Sequence, residues 1–348
     1  MSLRIHNTHK TAIDLFSGCG GLTEGLKQAG FNVISAVEIE PLAAETYSQN
    51  HPEVNLLNSD IRTIGATDLI PIKEKTVSPI DLLAGCPPCQ GFSRMKLNNK
   101  SGYLRDPRNR LIDEVLRLVR EIYPKVIMLE NVPNLKKYSR YLTFKRELKK
   151  LGYFVTDQVI DVSNFGVPQR RKRLVFLASR LGIIDLPSAP LRRSTVREAF
   201  TIIPGETNCA DPLHDTHQKR SERIMRLIQA IPKDGGSRTA LSEDLRLKCH
   251  ERNDGYYDVY GRMKWDDVSP TITGGCINPS KGRFLHPEED RAITLREAAL
   301  LQSFPISYKF SLRKGKYAAA EMIGNAFPPK FSSIQGKEIA RHIAYHEG

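Results

Sequence analysis

The sequence predicts an α/β protein with a mostly parallel, doubly wound sheet and a second, smaller, loop-rich domain. Three features point there. Apolar runs of strand length alternate with helical repeats from residue 11 to about 180. Those runs are apolar almost without interruption, as strands covered by helices on both faces must be. From 185 to 285 both periods fade while Pro, Gly and Arg rise, and 286–348 returns to regular patterning. The expected division is a main domain, 1–184 with 286–348, and a smaller one, 185–285.

The elements follow in order. "TAIDLF" (11–16) reads as a strand that stops at "SGCGG", and "LTEGLKQAG" continues as a helix with Leu22 and Leu26 on one face, ending at Gly30. "FNVISAVEI" is a second strand. "PLAAETYSQNH" is a second helix, with Pro41 in the first turn, where its missing N–H costs nothing. "SPIDLLAG" (78–85) is a third strand. "DPRNRLIDEVLRLVREIYP" is a helix with Asp106 as N-cap, Leu111, Val115, Leu118, Val119 and Ile122 on one face, and Pro124 as its stop. "KVIMLENVP" is a buried strand ending at Glu130. A lysine-rich helix near 139–151 and the strands "YFVTDQVID" and "RLVFLAS" complete the sheet. Short strands and long loops are expected in 185–285, which holds the only tryptophan, Trp265; a helix over "TLREAALLQSFP" (294–305) and a turn at "GNAFPP" (324–329) follow.

Lys and Arg outnumber Asp and Glu by 52 to 39, a formal charge of +13. Such a balance suits a polyanionic partner such as nucleic acid, although basic charge alone does not separate that from a protein with no such partner. No apolar run reaches the roughly 20 residues of a membrane span, and no signal-peptide pattern opens the chain. Six cysteines, at 19, 86, 89, 209, 249 and 276, are too irregular for a disulfide framework and read as reduced thiols of a soluble intracellular protein.

In such a sheet, ligands bind beyond the carboxyl ends of the strands, where "SGCGG", Glu38, "GCPPC" and Glu130 all fall. Gly18, Gly20 and Gly21 let the backbone approach a ligand in front of a helix N-terminus. Thr23 breaks the dinucleotide G-x-G-x-x-G pattern, which weakens a nicotinamide reading. Glu38 stands where a carboxylate can take ribose hydroxyls, or is an ordinary surface acid. The Cys86/Cys89 pair leaves three readings. A zinc clip lacks further ligands at compatible spacing, and a redox couple would open a helix rather than bracket Pro87 and Pro88. A nucleophile at Cys89 is what the framing favours: two prolines fix the backbone before it and Gly91 permits a turn after it, with Cys86 packing alongside.

With these residues assembled, the chain resembles the bacterial-type DNA (cytosine-5)-methyltransferases. The resemblance runs in the family's order through "DLFSGCGGL" (14–22), Glu38 in "AVEIE", "SDI" (59–61), "GCPPCQGFS" (85–93), "ENV" (130–132), "QRRKR" (169–173), "TLREAALLQSFP" and "GNAFPP". It implies a Rossmann-like, S-adenosyl-L-methionine-dependent catalytic domain with 185–285 as target-recognition domain. The catalytic residues it implies are Cys89, which adds to cytosine carbon 6; Glu130, at ring nitrogen 3 and the exocyclic amine; Arg173, at the base carbonyl; and Arg171. Arg171 and Gln169 are implied to support the loop and the nearby DNA backbone, and Thr271 in "SPTITGG" to lie beside a nucleotide flipped out of the duplex.

The cofactor residues it implies are Phe16, Gly18, Gly20, Glu38, Ile39, Asp60, Pro88 and Asn325, with no metal. Position 39 is often aromatic in the family, so Ile39 can pack against adenine but not stack. Double-stranded DNA is the implied partner of a monomeric, cytoplasmic, nucleoid-associated enzyme, with a cognate restriction endonuclease as an expected companion if the enzyme is restriction-linked. An RNA-directed relative and a catalytically silent DNA-binding homologue are the alternatives; the "CFT" of tRNA-acting relatives is absent.

Overall fold

In a computed structural model, which describes residues 10–70, 79–88, 110–187, 192–204, 211–247 and 257–347, the predicted alternation forms one seven-stranded sheet. Its strands are β1 (Thr11–Leu15), β2 (Asn32–Val37), β3 (Asn55–Leu57), β4 (Leu82–Gly85), β5 (Val126–Asn131), β6 (Phe154–Asp161) and β7 (Lys172–Ser179). They lie in the order β3-β2-β1-β4-β5-β7-β6. Only β7 runs against its neighbours, so the sheet is mostly parallel, as expected. Strand order reverses at β1 and β4, which places the crevice for a ligand beyond Leu15 and Gly85.

The helices among the described residues that flank this sheet are α1 (Gly21–Gln28), α2 (Pro41–Asn50), α3 (Ala66–Leu69), α4 (Leu111–Ile122) and α5 (Ser139–Lys150). Helix α4 buries Ile112, Val115, Leu116, Leu118, Val119 and Ile122, then stops where Tyr123 turns left-handed (φ 50°) ahead of Pro124. Asp106, its expected N-cap, lies outside the described residues. Ile13, Leu15, Leu83, Ile127 and Leu129 of the sheet pack against Val115, Leu118, Val119, Phe144 and Leu148 of α4 and α5. Each such side chain contributes about 1.5–3 kcal/mol over leaving it exposed. A Leu83→Ala change would cost about 2–5 kcal/mol through lost burial and the cavity left.

The chain splits into two compact units: Met1–Asp161, Lys172–Ala189 and Pro329–Gly348 form one, Val162–Arg171 and Pro190–Pro328 the other. The second unit contains α6 (Val196–Phe200), α7 (Glu222–Ala230), α8 (Leu295–Leu301) and α9 (Gly315–Asn325), while α10 (Pro329–Glu347) belongs to the first and packs on α1. The sequence-based boundaries group 162–171, 185–189 and 286–328 differently. Backbone pairing accounts for the first and last of these: Leu285 bridges both Arg262 and Ala292, and Gln169 bridges Ser269. The short strands expected in the smaller domain are isolated bridges among the described residues. In their place the fully buried Arg262 donates to the carbonyls of Ile228, Ile231, His286 and Glu289 and to the Asp290 carboxylate, organising a small core of Leu227, Ile228, Ile231, Leu241, Tyr260 and Leu285. A side chain that satisfies so many carbonyls does the work of a missing sheet.

Candidate functional site

Beyond β1 the chain makes a tight loop. Phe16 (φ 59°), Gly18 (φ 56°) and Gly20 (φ 95°) are all left-handed, a region that favours glycine, so Phe16 is held there by its surroundings. Phe16 packs against the main core. Gly20 N–H donates to Ser17 O at 2.9 Å and Gly20 then caps α1, accepting from Glu24 N–H at 2.8 Å. The end of β2 meets this loop through Glu38: Oε2 accepts from Gly18 N–H at 2.8 Å and Oε1 from Glu40 N–H at 2.7 Å. Burial pushes the Glu38 carboxyl above its ordinary range, and these backbone donors partly offset it. Beside it, Ile39 is 62% exposed, an apolar side chain held in the open.

Asp60 follows β3, where its side chain caps Arg62 N–H at 3.0 Å and meets the Arg62 guanidinium at 2.5 Å, which holds its carboxyl below the usual range. Phe16, Gly18, Gly20 and Glu38 are thus brought together, whereas Asp60 is turned onto its own neighbour. Behind the loop lies a group the sequence reading missed. Asp14, on β1, is fully buried; its Oδ2 accepts from Thr23 Oγ1 at 2.7 Å, and Thr23 Oγ1 lies 2.8 Å from Tyr47 OH. Asp14 Oδ1 has no hydrogen-bond partner, and desolvation pushes its pKa up to about 7. One signal for it was available: a carboxylate in the middle of an apolar strand run.

A second cluster lies at the ends of β4, β5 and β7. Cys86 N–H donates to Leu15 O at 3.2 Å, setting the start of the proline loop against β1. Asn131 Nδ2 donates to Pro87 O at 2.8 Å, and Asn131 Oδ1 accepts from Val132 N–H at 2.8 Å. Sequence reasoning passed over Asn131 for its neighbour Glu130. Antiparallel pairing sets Glu130 opposite Val175, so Arg173, two residues along β7, shares its face. Arg173 Nε lies 2.5 Å from Glu130 Oε1, with side chains 15% and 10% exposed. The pair is an ion pair by distance, without the alignment of a hydrogen bond. Pro88 is half-buried, and Cys89 lies outside the described residues.

In the second unit, Gln169 and Arg171 are both buried among backbone groups. Gln169, expected at the DNA backbone, is wholly buried: Oε1 accepts from Ile272 N–H at 2.8 Å and Nε2 donates to Gln302 Oε1 at 2.8 Å. No exposed amide is left to reach a phosphate, which removes the DNA-backbone part of its expected role and leaves the support of the loop. Arg171, expected among the catalytic residues, is 3% exposed and its Nη1 donates to the carbonyls of Ile272 and Gly324, both at 3.1 Å. Its Nη1 is thus committed to the protein's own backbone. Thr271, half-buried, donates from Oγ1 to Arg170 O at 2.6 Å, and Asn325 is exposed at the end of α9.

The family model of C-5 cytosine-specific DNA methylases matches residues 10–341. The type II methylase M.HgiDII of Herpetosiphon aurantiacus is 36% identical over 346 residues, 95% of each chain. The type II methyltransferase M1.HphI of Haemophilus parahaemolyticus is 33% identical, over 95% of this chain and 87% of that one. Among solved structures, a DNA modification methyltransferase encoded within an Escherichia coli prophage superposes with a TM-score of 0.70 at 26% identity, covering 96% of this chain and 99% of that one. The Entamoeba histolytica methyltransferase EhMeth, 17% identical with a TM-score of 0.65, shares the fold. With a sheet of this order, an acid–arginine pair at its carboxyl edge and a match along nearly its whole length, the chain belongs to the C-5 cytosine-specific DNA methylases and is a DNA cytosine-5 methyltransferase.

Proposed function

We propose that the enzyme methylates carbon 5 of a flipped-out cytosine in double-stranded DNA, using S-adenosylmethionine and a covalent adduct to Cys89. The observation that supports this most is the Glu130–Arg173 ion pair at the sheet edge, tied through Asn131 to the loop that leads into Cys89.

The loop after β1 suits the cofactor. A Cβ at Gly18 would meet nothing within 4 Å, so this side of the loop is open, and Glu38 offers a carboxylate beside it for ribose hydroxyls. Phe16, Gly18 and Gly20 would hold the methionine and ribose end, Ile39 would cover the adenine, Asp60 would turn from Arg62 toward the adenine amine, and Pro88 and Asn325 would complete the enclosure. S-adenosylmethionine, when bound, supplies an electrophilic methyl group on a sulfonium.

Cytosine carbon 5 is too weak a nucleophile to take that methyl unaided. The Cys89 thiolate adds to carbon 6, and the electrons of the carbon 5–carbon 6 double bond move into the ring. Glu130, hydrogen-bonded to ring nitrogen 3 and the exocyclic amine, stabilises the charge that develops, with Arg173 steadying the carboxyl and meeting the base carbonyl. Carbon 5 then takes the methyl as the sulfonium carbon–sulfur bond breaks and its electron pair stays on sulfur, leaving S-adenosyl-L-homocysteine; the carbon 5 proton passes to a base, and expulsion of Cys89 restores the double bond. Thr271 would stand beside the flipped nucleotide, and the basic surface would offset the few kcal/mol that flipping costs. The protein would act as a monomer in the cytoplasm at the nucleoid; relatives named type II methyltransferases support a companion endonuclease of the same specificity.

The test is trapping on duplex DNA carrying 5-fluorocytosine, whose carbon 5 cannot lose a proton. With S-adenosylmethionine the expected product is a covalent protein–DNA complex that Cys89→Ser fails to form. A complex formed by Cys89→Ser, or none with the wild type, would overturn the mechanism.

A further inference from the structure

Gln302 is fully buried, in "LLQSFP" just after α8. Its amide reaches two segments distant in sequence, at Gln169 and at 323–326. Oε1 accepts from Gln169 Nε2 at 2.8 Å; Nε2 donates to Ile323 O at 2.7 Å and lies 3.4 Å from Ala326 O, on either side of the turn that holds Asn325. From Gln169 the chain of contacts continues through Oε1 to Ile272 N–H, next to Thr271. It closes where Arg171 Nη1 binds the carbonyls of Ile272 and Gly324. Three loops distant in sequence, which carry Arg171, Thr271 and Asn325, are therefore indexed to one another by two buried amides. A half-broken buried network of this sort is worse than none, since each orphaned group loses its partner with no water to replace it.

We infer that Gln302 is a positioning residue for methyl transfer, setting the placement of Arg171, Thr271 and Asn325 through Gln169. The inference rests on the functional reading of those three residues. An apolar side chain of the same length, Gln302→Met, would keep the packing and remove the shorter of two partners from each of its neighbours, leaving Gln169 Nε2 with Leu301 O at 3.3 Å and Ile323 O with Ala326 N–H at 3.3 Å. Gln302→Glu would keep the acceptor for Gln169 and remove the donor toward Ile323.

The experiment measures kcat and KM for S-adenosylmethionine and duplex DNA in wild type, Gln302→Met, Gln302→Glu, Gln169→Met and the double Met variant, alongside thermal melting of the full chain. Expected is a fall in kcat of roughly 10- to 100-fold in each single variant, with each protein folded at the assay temperature. The double variant is expected to lose no more than the worse single one, because the two amides act as one unit. Wild-type kcat in folded Gln302→Met, or losses that multiply in the double variant, would overturn the inference. If Gln302→Met fails to fold, Gln302→Glu decides on the same criterion. An active wild type beside an unaffected variant sinks this inference and leaves the methyl-transfer reading standing.

Discussion

Asn131 donates from Nδ2 to the carbonyl of Pro87 at 2.8 Å, joining the end of the strand that carries Glu130 to the loop that leads into Cys89. The bond is buried, so its loss leaves Pro87 O without that donor and costs about 1–3 kcal/mol of stability. Asn131→Ala is expected to lower kcat by roughly 10-fold or more, because the loop's register to Glu130 is no longer fixed. Methyl-transfer kinetics with urea unfolding check this. A variant that loses stability but keeps wild-type kcat would limit Asn131 to a structural role.

Arg173 and Glu130 form a nearly buried ion pair. Removing one partner leaves the other charge poorly solvated, and such losses run to about 3–5 kcal/mol for fully buried pairs. Here the side chains retain 15% and 10% exposure, so the lower end is expected. The catalytic effect should exceed the structural one: Arg173→Ala is expected to reduce kcat roughly 100-fold or more, as for loss of a preorganised electrostatic contact. Arg173→Lys should restore charge without the fork and recover only part. Steady-state kinetics with saturating DNA, beside urea unfolding, give both numbers.

Asp14 and His51 make opposite contributions to the pH dependence of stability. Desolvation raises Asp14 from 3.8 to about 7 and lowers His51 from 6.5 to about 4. Between pH 4 and 7 folded Asp14 holds its proton while the unfolded chain releases it, so this group lowers stability as pH rises and adds no further change above about pH 7. Between pH 4 and 6.5 the unfolded chain holds the His51 proton and the folded one does not, so this group raises stability with pH. The two slopes oppose over the shared window. Asp14→Asn is therefore expected to make stability climb with pH from about 4 to 6.5, by up to about 1.4 kcal/mol per unit, and His51→Gln to make it fall. Urea unfolding across that range checks both signs.

How far the sequence speaks can be seen from these same residues. β1, β2, β4 and β5 are legible because strands buried on both faces are continuous apolar runs, and Gly18 and Glu38 because glycine and acid stand out where such runs stop. β3 has three residues, two of them half-buried, and no period to detect. Gln169 is implied near the DNA backbone by the resemblance of "QRRKR", and its burial is not visible in that motif. Its partner Gln302 is 133 residues away, and no local pattern reports a bond of that span. Arg262 misleads in the same way: its charge suggests a surface, and its burial depends on carbonyls gathered from four other residues.

Gly25 is a case where the sequence points one way and packing the other. It sits inside α1, and replacing a helical glycine with alanine ordinarily gains about 1 kcal/mol. A Cβ there would lie 1.7 Å from Ser332 Oγ, 2.3 Å from Pro329 O and 2.7 Å from Ser333 N. The first contact could rotate away, but the other two are backbone of α10, which is anchored to α1 by the Ser332 Oγ donation to Leu22 O at 3.2 Å. The clash must then push α10 outward, at a cost of about 1–3 kcal/mol or more, which exceeds the helical gain. Gly25→Ala is expected to lower the urea midpoint of the full chain, and Ser332→Gly added to it should not restore that midpoint because the backbone contacts remain. Since α1 begins at the loop proposed to hold the cofactor, S-adenosylmethionine affinity by calorimetry should fall in step. An unchanged or raised midpoint would mean that α1 and α10 do not pack this closely in solution.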